Sequence, residues 1–245
     1  MKQSDQFGEY IVTENEGRPV RPAVSVVMSA YNASEHMANC LYGMANQIYK
    51  DYELIIINDC SEDGTLQLIE KFARNDPRIV VIENSRNIGL TKSLIRGIGF
   101  SRGQLIARHD ADDVSLPERL ERQIKFFPRY DLVCCPTMVN GKRMRPTVAG
   151  IWAYRLILKH HNVFVHGTFV FKREFYDRLG GYDPEFFYAQ DYDFIVRAIN
   201  AGCEIKFMPE VLYLSSKAEG CISVKDVERQ NYFGNLARAK YKLFA

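Results

Sequence analysis

The sequence predicts an α/β fold in which helices cover a mostly parallel central sheet. Four apolar, β-branched runs in the first half of the chain have the length of buried strands, and a segment with helical periodicity follows each of them. Strands that are apolar on both faces are typical of parallel sheets with helices on both sides. With 245 residues, 47% of them hydrophobic, the chain can form one large domain or two small ones.

The strand–helix alternation runs through the first half of the chain. The predicted strands are Val24–Ala30, Tyr52–Ile57, Ile79–Glu83 and Leu105–His109, and the predicted helices are Glu35–Ile48, Thr65–Asn75, Thr91–Phe100 and Pro117–Phe127. Pro117 suits the first turn of its helix, where a missing N–H costs nothing. One more strand is expected over Leu132–Met138.

The pattern changes after Pro146. We expect a helix over Ile151–His161, a strand over Thr168–Lys172, a helix over Gln190–Asn200 that ends at Gly202, strands over Glu204–Met208 and Val211–Leu214, and a terminal helix over Val224–Phe244. Because no Pro/Gly/Ser-rich linker separates this part, it is expected to build onto the same sheet. The chain then divides into a polar N-terminal extension (1–22), a main domain (23–223, with halves at about 23–140 and 141–223) and a C-terminal amphipathic helix (224–245).

Composition excludes several classes of protein. A net charge of +2 gives no reason to expect nucleic-acid binding. The six cysteines show no zinc spacing and are expected to be reduced thiols in a cytoplasmic protein. The first 22 residues lack the apolar core of a signal peptide, and the longest apolar runs have the length of a strand. The sequence indicates no oligomeric state.

Clustered carboxylates mark the end of one predicted strand. Asp110, Asp112 and Asp113 follow the run Leu105–His109 directly, and Ala111 lies between the first two. Carboxylate oxygens are the ligands that Mg²⁺ and Mn²⁺ prefer, and such an ion can hold a substrate diphosphate. The alternative is that Asp112 or Asp113 only caps the helix that begins near Pro117; a cap needs one acid, whereas three are present.

Polar residues follow the other parallel strands as well. Because the carboxyl ends of parallel strands meet at one edge of the sheet, Ser29–Asn32, Asn58–Asp59, Asn84–Gly89 and Asp110–Asp113 are expected to form one crevice. No Gly-x-Gly-x-x-Gly follows the first strand, and no Gly-Lys-Ser/Thr occurs. We therefore expect that a metal ion bridging the diphosphate holds the phosphates.

The ordered series of motifs resembles glycosyltransferase family 2 over roughly Val24–Leu214. The segments that carry the resemblance are Val24–Asn32, Glu53–Thr65, Asn87–Gly89, Asp110–Asp113, Gly180–Asp183 and Ala189–Asp193. The resemblance implies the GT-A fold, a nucleotide-diphospho-sugar donor and transfer with inversion at the anomeric carbon. The chain departs from the family pattern at Met28-Ser29, where the family usually has proline, at Asn58 in place of Asp, and at Gln190 in place of Glu.

The resemblance also implies roles at matching positions. The residues expected to contact the donor nucleotide are Ser29, Tyr31, Asp59, Asn87, Gly89, Lys92, Asp110 and Ala111. Asp112 would be the direct ligand of Mn²⁺ or Mg²⁺, and Asp110 would lie near the ribose or the metal. Asp59 would accept the N3–H of uracil, since a carboxylate only accepts; otherwise it is a turn residue, although Asp63 is the better candidate for the start of the next helix.

Charged residues on two helices leave alternatives open. Lys92 and Arg96 lie four apart on one helix face and could reach the phosphates, or could be solvated. On the helix that starts at Gln190, Asp191 shares the face of Phe194 and Ile195, whereas Asp193 is expected to form a surface ion pair with Arg197. Asp191 can cap the helix, and the resemblance implies that it is the base that deprotonates the acceptor hydroxyl.

The acceptor side is predicted less sharply. His166, Gly167 and Gln190 are expected there, although His166 can equally be structural. Trp152 and Tyr154 could stack on a sugar, with core packing as the default. The terminal helix could rest on an anionic membrane that carries a lipid-linked acceptor, while packing on the protein itself or in a dimer is favoured.

The prediction is therefore a metal-dependent inverting glycosyltransferase that moves a sugar, from a UDP-sugar in the first instance, to a glycan or lipid-linked glycan. The protein is expected in the cytoplasm, with peripheral contact to the inner face of the membrane as a possibility. The rivals are a sugar nucleotidyltransferase, which would normally carry a basic glycine-rich loop after the first strand, and a non-catalytic sugar-nucleotide or glycan-binding protein, which would not need Asp191 directed into the site.

Overall fold

The computed structural model describes residues 1–127, 129–144, 158, 162–216 and 226–241. Its strands are β1 (Lys2–Asp5), β2 (Gly8–Glu14), β3 (Val24–Ala30), β4 (Tyr52–Asn58), β5 (Ile79–Asn84), β6 (Leu105–Asp110), β7 (Val114–Ser115), β8 (Leu132–Cys134), β9 (Thr137–Val139), β10 (Lys142–Met144), β11 (Val170–Lys172), β12 (Ile205–Phe207) and β13 (Tyr213–Ser215). Its helices are α1 (Ser34–Ala45), α2 (Thr65–Ala73), α3 (Leu90–Phe100), α4 (Arg119–Ile124), α5 (Arg173–Arg178), α6 (Gln190–Asn200) and α7 (Val227–Lys240), and a 3₁₀ turn spans His166–Thr168.

Within these residues, the main sheet has the strand order β1-β2-β5-β4-β3-β6-β11-β8-β12. The four central strands β5, β4, β3 and β6 run parallel, as predicted. Toward the edges β2 and β11 pair antiparallel with their neighbours, and β12 returns to a parallel pairing with β8. The sheet is thus parallel at its centre and mixed at both sides, and the C-terminal half adds β11 and β12 to it, as expected.

The central strands bury side chains on both faces, which explains their continuous apolar runs. In β4, Leu54 and Ile56 pack on one face, where α1, α2 and α4 lie, while Ile55 and Ile57 pack on the other, with α3, α5 and α6. Successive residues of a strand point to opposite faces, so both layers of core draw on every central strand. This three-layer packing fixes the strand ends that carry the polar residues.

The single strand expected over Leu132–Met138 is two strands in two sheets. β8 belongs to the main sheet, whereas β9 joins a second sheet of order β10-β9-β13-β7. Pro136 lies between them; its lack of an N–H and its fixed φ disfavour continuation of one ladder. The second sheet brings β13 beside β7, which directly follows the Asp110–Asp113 cluster.

The N-terminal extension is structured, although its polar sequence does not indicate strands. β1 and β2 form a hairpin, and β2 pairs antiparallel with β5 along Tyr10–Glu14. Arg18 follows the hairpin and donates from Nε to Glu53 Oε2 at 2.9 Å, where the Glu53 side chain is fully buried. The polar pattern hid the hairpin because it forms the exposed edge of the sheet and buries little besides Tyr10.

The helices agree with prediction except in length and exposure. α6 has the predicted bounds, and Gly202 ends it at φ +75°. α4 is shorter than Pro117–Phe127. α7 was expected to be amphipathic; it buries Gly234 and Ala237, whereas its apolar residues Val227 and Leu236 are exposed. The helix predicted over 151–161 lies outside the described residues apart from Leu158, as do the ends of the predicted terminal helix.

In the described part of the chain, no helix is long and apolar enough to cross a bilayer.

Candidate active site

The strand register aligns the predicted site residues at one edge of the sheet. Ser29 at the end of β3 lies opposite Asp110 of β6 on one side and Ile57 of β4 on the other. One residue further along, Ala30 pairs with Asn58, and Asn58 pairs with Glu83. The strand ends that were predicted to meet are therefore neighbours at one edge of the sheet, where Ser29 is half-buried and Asp110 is part-exposed.

A buried arginine holds Asp110. Arg108 is fully buried in β6 and donates from Nη2 to Asp110 Oδ1 at 2.6 Å. Its Nη1 donates to Val27 O at 2.7 Å and to His109 O at 2.9 Å. Because arginine presents its donors in a rigid fork, these contacts fix the direction in which the Asp110 carboxylate faces. The signal in the sequence was an arginine inside a buried strand, which needs partners.

The three carboxylates of the cluster differ in burial and in their hydrogen bonds. Asp113 is 4% exposed and accepts the backbone N–H of Ser216 at 2.9 Å, while the Ser216 hydroxyl donates to Asp112 O at 2.6 Å. Burial, together with the charges of Asp110 and Asp112, raises the pKa of Asp113 to about 8. Asp113 therefore fastens the end of β13, and Asp110 and Asp112 are the more accessible acids.

The donor set of this cluster suits a hard divalent cation. Among the described residues, no group of three or more His, Cys, Asp or Glu side chains is arranged to hold a metal. Two accessible carboxylates, Asp110 and Asp112, follow one strand end, and such oxygen ligands suit a cation that completes its coordination with phosphate oxygens and water. The residues present thus fit Mn²⁺ or Mg²⁺ bound together with a diphosphate.

Gly167 and Tyr213 close the cluster from the other side. The Tyr213 hydroxyl accepts the backbone N–H of Asp110 at 2.9 Å. A Cβ at Gly167 would lie 2.6 Å from Asp110 Oδ2 and 2.4 Å from the Tyr213 hydroxyl, closer than real Cβ atoms come. Glycine is therefore required for the 3₁₀ turn to approach the aspartates. Gly167, expected on the acceptor side, touches the aspartate cluster itself, and the role of Tyr213 was missed because it depends on contacts distant in sequence.

Asp59 is a buried acceptor with several protein donors. Asn84 Nδ2 and the N–H of Ile88 donate to its Oδ1 at 2.7 and 2.9 Å, and the N–H of Gly89 donates to Oδ2 at 2.9 Å. Asp59 thus ties the loop after β5 to the end of β4. A carboxylate has about four lone-pair positions, so the bond from Gly89 leaves one acceptor position on Oδ2 unused. Asp63 accepts the N–H of Thr65 at 3.0 Å, as expected for the start of α2.

Other residues expected around the nucleotide take different positions. Asn87 is exposed and accepts the N–H of Gly89 at 3.1 Å, and Tyr31 is half-exposed. Lys92, half-buried in the first turn of α3, lies over the ring of Phe187 at 4.9 Å and lines a cleft of about 480 Å³. Arg96 does not reach toward phosphates and is not solvated, because it is buried against Asp5 of the hairpin.

Asp191 lies at the start of α6 within electrostatic reach of Asp110. Its Oδ2 accepts from Asn162 Nδ2 at 2.7 Å, and its Oδ1 accepts the N–H of Tyr192 at 2.8 Å. Burial raises the pKa of Asp191 to about 6; the Asp110 charge adds to the rise, while the hydrogen bonds from Tyr192 and Asn162 oppose it. Ala189, two residues before Asp191 and just before α6, has φ +52°, which is unfavourable for a residue with a Cβ.

Asp193 forms its predicted ion pair with Arg197, but the pair is not on the surface. The Asp193 side chain is fully buried, and the Arg197 side chain is 14% exposed, with 2.6 Å between Nη2 and Oδ2. Arg197 also donates to Leu179 O at 2.9 Å. The pair was predicted to be on the surface because helical periodicity gives only the direction of the Asp193 side chain on α6. The segments that cover Asp193 come from elsewhere in the chain.

His166 and Gln190 are both buried near the site. His166 Nε2 is 2.7 Å from the Tyr182 hydroxyl and 3.4 Å from Arg108 Nε. Burial and the nearby Arg108 hold the pKa of His166 well below its ordinary value, so the ring is neutral. Gln190 is the first residue of α6, beside Asp191. Trp152, Tyr154 and the His160-His161 pair lie outside the described residues.

Comparisons with known proteins agree with this geometry. The model of the family described as Glycosyl transferase family 2 matches residues 25–181. EpsE of Bacillus subtilis (strain 168), which carries a glycosyltransferase name, is 35% identical over 173 residues, or 66% of this chain and 60% of that protein. This chain therefore spans about three fifths of the length of that relative.

Two solved structures share the fold. TarS of S. aureus, residues 1–349 in complex with UDP-GlcNAc, superimposes with a TM-score of 0.67 at 22% identity over 81% of this chain and 59% of that one. The mannosyltransferase PcManGT of Pyrobaculum calidifontis, in complex with GDP-Man and Mn²⁺, gives 0.68 at 19% identity over 92% of this chain and 71% of that one. These likenesses show the GT-A fold that the sequence predicted. With the fold, the aspartate cluster and the family match in agreement, the chain belongs to glycosyltransferase family 2.

Proposed function

We propose that this chain transfers a sugar from a nucleoside-diphosphate donor, a UDP-sugar, to a hydroxyl group of a glycan or lipid-linked glycan, with inversion at the anomeric carbon. The observation that carries the proposal is that Asp191, held at the start of α6 by hydrogen bonds from Asn162 and Tyr192, lies within electrostatic range of Asp110 in the aspartate cluster. A carboxylate proposed as the base is thus within electrostatic range of the carboxylates proposed to hold the diphosphate, as transfer to a hydroxyl requires. A nucleotidyltransferase or a binding protein has no use for that base.

Asp191 is the proposed base. The acceptor hydroxyl gives its proton to Asp191 while its oxygen attacks the anomeric carbon, and the bond from that carbon to the diphosphate breaks on the opposite face. The hydrogen bonds from Asn162 and Tyr192 hold the carboxylate in one orientation. Since its pKa is about 6, Asp191 is ionised at neutral pH and is a stronger base than an ordinary aspartate.

The nucleotide is proposed to lie along the strand ends, with the base at Asp59. The remaining acceptor position on Oδ2 matches the N3–H of uracil, whereas cytosine has no proton at N3. Ser29, Tyr31, Asn87, Gly89, Lys92 and Ala111 are proposed to line the same path. TarS, whose structure contains UDP-GlcNAc, supports a uridine nucleotide in this fold, although PcManGT contains a guanosine nucleotide.

Asp112, with Asp110, is proposed to hold Mn²⁺ or Mg²⁺. When bound, the ion neutralises the charge that develops on the leaving diphosphate. Arg108 keeps Asp110 oriented, and Ser216 holds the backbone of Asp112, so the protein supplies a preformed turn. The presence of Mn²⁺ in the PcManGT structure supports such an ion in this fold. His166, Gly167 and Gln190 are proposed to border the acceptor.

The test begins with the purified chain, a panel of UDP-sugars and Mn²⁺. Release of UDP and free sugar indicates transferase chemistry, release of pyrophosphate indicates a nucleotidyltransferase, and binding without turnover with any donor or acceptor indicates a binding protein. Product stereochemistry, read by NMR of the anomeric proton, checks the inversion.

The metal assignment is tested by calorimetry with UDP, with and without Mn²⁺. Asp112→Asn should remove the increase in UDP affinity that Mn²⁺ gives, while the circular dichroism spectrum stays native. Asp113→Asn is the matched control, because Asp113 is not one of the two proposed ligands and the amide oxygen can still accept the N–H of Ser216. An Asp112→Asn protein that keeps the Mn²⁺ effect, or an Asp113→Asn protein that loses it, contradicts the assignment.

A further inference from the structure

The N-terminal hairpin contacts α3 through an ion pair between Asp5 and the buried Arg96. Arg96 is 3% exposed and donates from Nε and Nη2 to the two oxygens of Asp5, at 2.8 and 2.6 Å. Nη2 also donates to Gly8 O at 3.1 Å, and the guanidinium lies 4.3 Å from the centre of the Tyr10 ring. A buried cation depends on such partners, and these belong to the hairpin.

Arg96 fixes the orientation of Asn84. Its Nη1 donates to Asn84 Oδ1, and Asn84 Nδ2 donates in turn to Asp59 Oδ1 at 2.7 Å. Arginine only donates and a carboxylate only accepts, so the amide between them must turn its oxygen to Arg96 and its NH₂ to Asp59. The direction of every hydrogen bond from Asp5 to Asp59 is therefore determined by chemistry.

The same hairpin supports the loop that Asp59 holds. Tyr10 pairs with Asn84 at the end of β5, and Ser85 donates its N–H to Glu9 O at 3.1 Å. Asp59 binds the N–H groups of Ile88 and Gly89 a few residues later. The hairpin lies outside the stretch that the family model matches, which begins at residue 25.

We propose that Asp5 and Arg96 are positioning residues for recognition of the nucleobase, so that the N-terminal hairpin is part of the donor site. The proposal rests on the proposed role of Asp59 as the acceptor of the uracil N3–H. Without the fork to Asp5, the Arg96 guanidinium is no longer fixed in position, so its Nη1 no longer holds the Asn84 amide against Asp59. Asp59 then loses a donor, and the acceptor position on Oδ2 is no longer held toward the base.

The experiment measures the dissociation constants of UDP and CDP by calorimetry in the presence of Mn²⁺, for the full chain and its variants. Asp5→Asn should weaken UDP binding by about 5- to 20-fold, in the range of one lost buried hydrogen bond, and leave CDP nearly unchanged. The KM for the UDP-sugar should rise while kcat at saturating donor stays. A purely structural loss lowers the affinities of UDP and CDP alike.

Two further variants sharpen the test. Arg96→Lys keeps the charge, but a single ammonium cannot span Asp5 and Asn84, so it should reproduce the effect of Asp5→Asn; it also serves if Asp5→Asn does not fold. Lys2→Met is the control, since the Lys2–Glu9 pair of the same hairpin, at 2.7 Å, is exposed. It should leave both nucleotide affinities unchanged.

The variant Asp59→Asn distinguishes recognition of the base by Asp59 from the positioning role of the hairpin. If Asp59→Asn and Asp5→Asn both reduce the preference for UDP over CDP, both assignments stand. If Asp59→Asn alone reduces it, Asp59 is the reader and the role of the hairpin is refuted. If neither reduces it, the reading of the base by Asp59 is refuted along with the proposal. If Asp5→Asn alone reduces the preference for UDP over CDP, the hairpin does not act through Asp59.

Discussion

Asp191 carries the chemistry of the proposed reaction, and its neighbours set its basicity. Burial and the Asp110 charge raise its pKa to about 6, and the amide of Asn162 opposes that rise by donating to the ionised form. Turnover should accordingly fall about tenfold for each pH unit below the pKa, because only the ionised form accepts a proton.

Asn162→Ala should move this acidic limb to higher pH. Removal of the donor makes the ionised carboxylate less favourable, so the pKa of Asp191 rises further. The measurement is kcat against pH, with Asn75→Ala, a surface amide that bonds Lys71 O at 2.9 Å, as the control. A limb that stays in place for Asn162→Ala would show that Asp191 is not the titrating base.

Asp191→Asn should lower kcat by roughly 10²–10⁴-fold, the usual share of general base catalysis, while UDP still binds. The direction in which this substitution changes stability also follows from the pKa of Asp191. Because the folded pKa of Asp191 lies above the unfolded value, ionisation weakens the native state as pH rises from about 4 to about 6. The variant lacks this loss and should melt no lower than the wild type at neutral pH. A variant with normal turnover contradicts the assignment.

Asp193→Asn, two residues away, should affect stability instead of chemistry. Its pair with Arg197 is buried, and an uncompensated partner of a buried pair costs about 3–5 kcal/mol. The melting temperature should drop by roughly 6–20 °C, with kcat near normal well below that temperature. Glu121→Gln, in the exposed Lys125–Glu121 pair at 3.3 Å, is the helical control and should change stability by under about 0.5 kcal/mol.

At the scale of elements, the sequence predicted well what periodicity controls. β3 and α6 have the predicted bounds, because their burial follows the repeat of one strand or one helix. The hairpin of β1 and β2 was missed, because an exposed edge needs no apolar pattern. Two other features were not predicted: the burial of Asp193, and the contact of Tyr213 and Gly167 with Asp110, which we call the clamp. Each depends on segments that lie far apart in sequence.

The 3₁₀ turn at His166–Thr168 makes a prediction of its own. Gly167→Ala should push Asp110 or Tyr213 aside, since the new Cβ would lie 2.6 and 2.4 Å from their oxygens. UDP affinity in Mn²⁺ should fall by about tenfold or more, and overpacking should cost about 1–3 kcal/mol. Gly99→Ala in α3, where nothing lies within 4 Å of the added atom, should bind UDP normally and gain up to about 1 kcal/mol. Equal behaviour of the two variants would argue against the clamp.

At the scale of the whole molecule, the N-terminal segment is fastened at both ends of the central strands. Asp5 meets Arg96 near their carboxyl ends, and Arg18 meets Glu53 near the beginning of β4. Glu53 also accepts from Ser25 Oγ and from the N–H of Arg102, each at 2.6 Å. The segment is therefore integral to the fold, which its polar composition did not predict.

Arg18→Met should test this attachment. The change leaves the buried Glu53 carboxylate without its cation, so the loss should approach about 3–5 kcal/mol and appear as one cooperative transition at lower denaturant concentration. Arg102→Met, whose partner Glu14 is 3.5 Å away and part-exposed, should change the midpoint little. Matching midpoints for the two variants would show that the segment is only loosely attached.

The clamp on the aspartate turn has a consequence for synthesis on the ribosome. Tyr213 binds Asp110, and Ser216 binds Asp112 and Asp113, across more than 100 residues of sequence. The chain emerges from its N-terminus, so the four parallel strands can pair while translation continues. The turn itself takes its final shape only after residue 216 has left the exit tunnel. A nascent chain stalled before that point would carry all the segments proposed to bind the donor and would still lack the assembled aspartate turn.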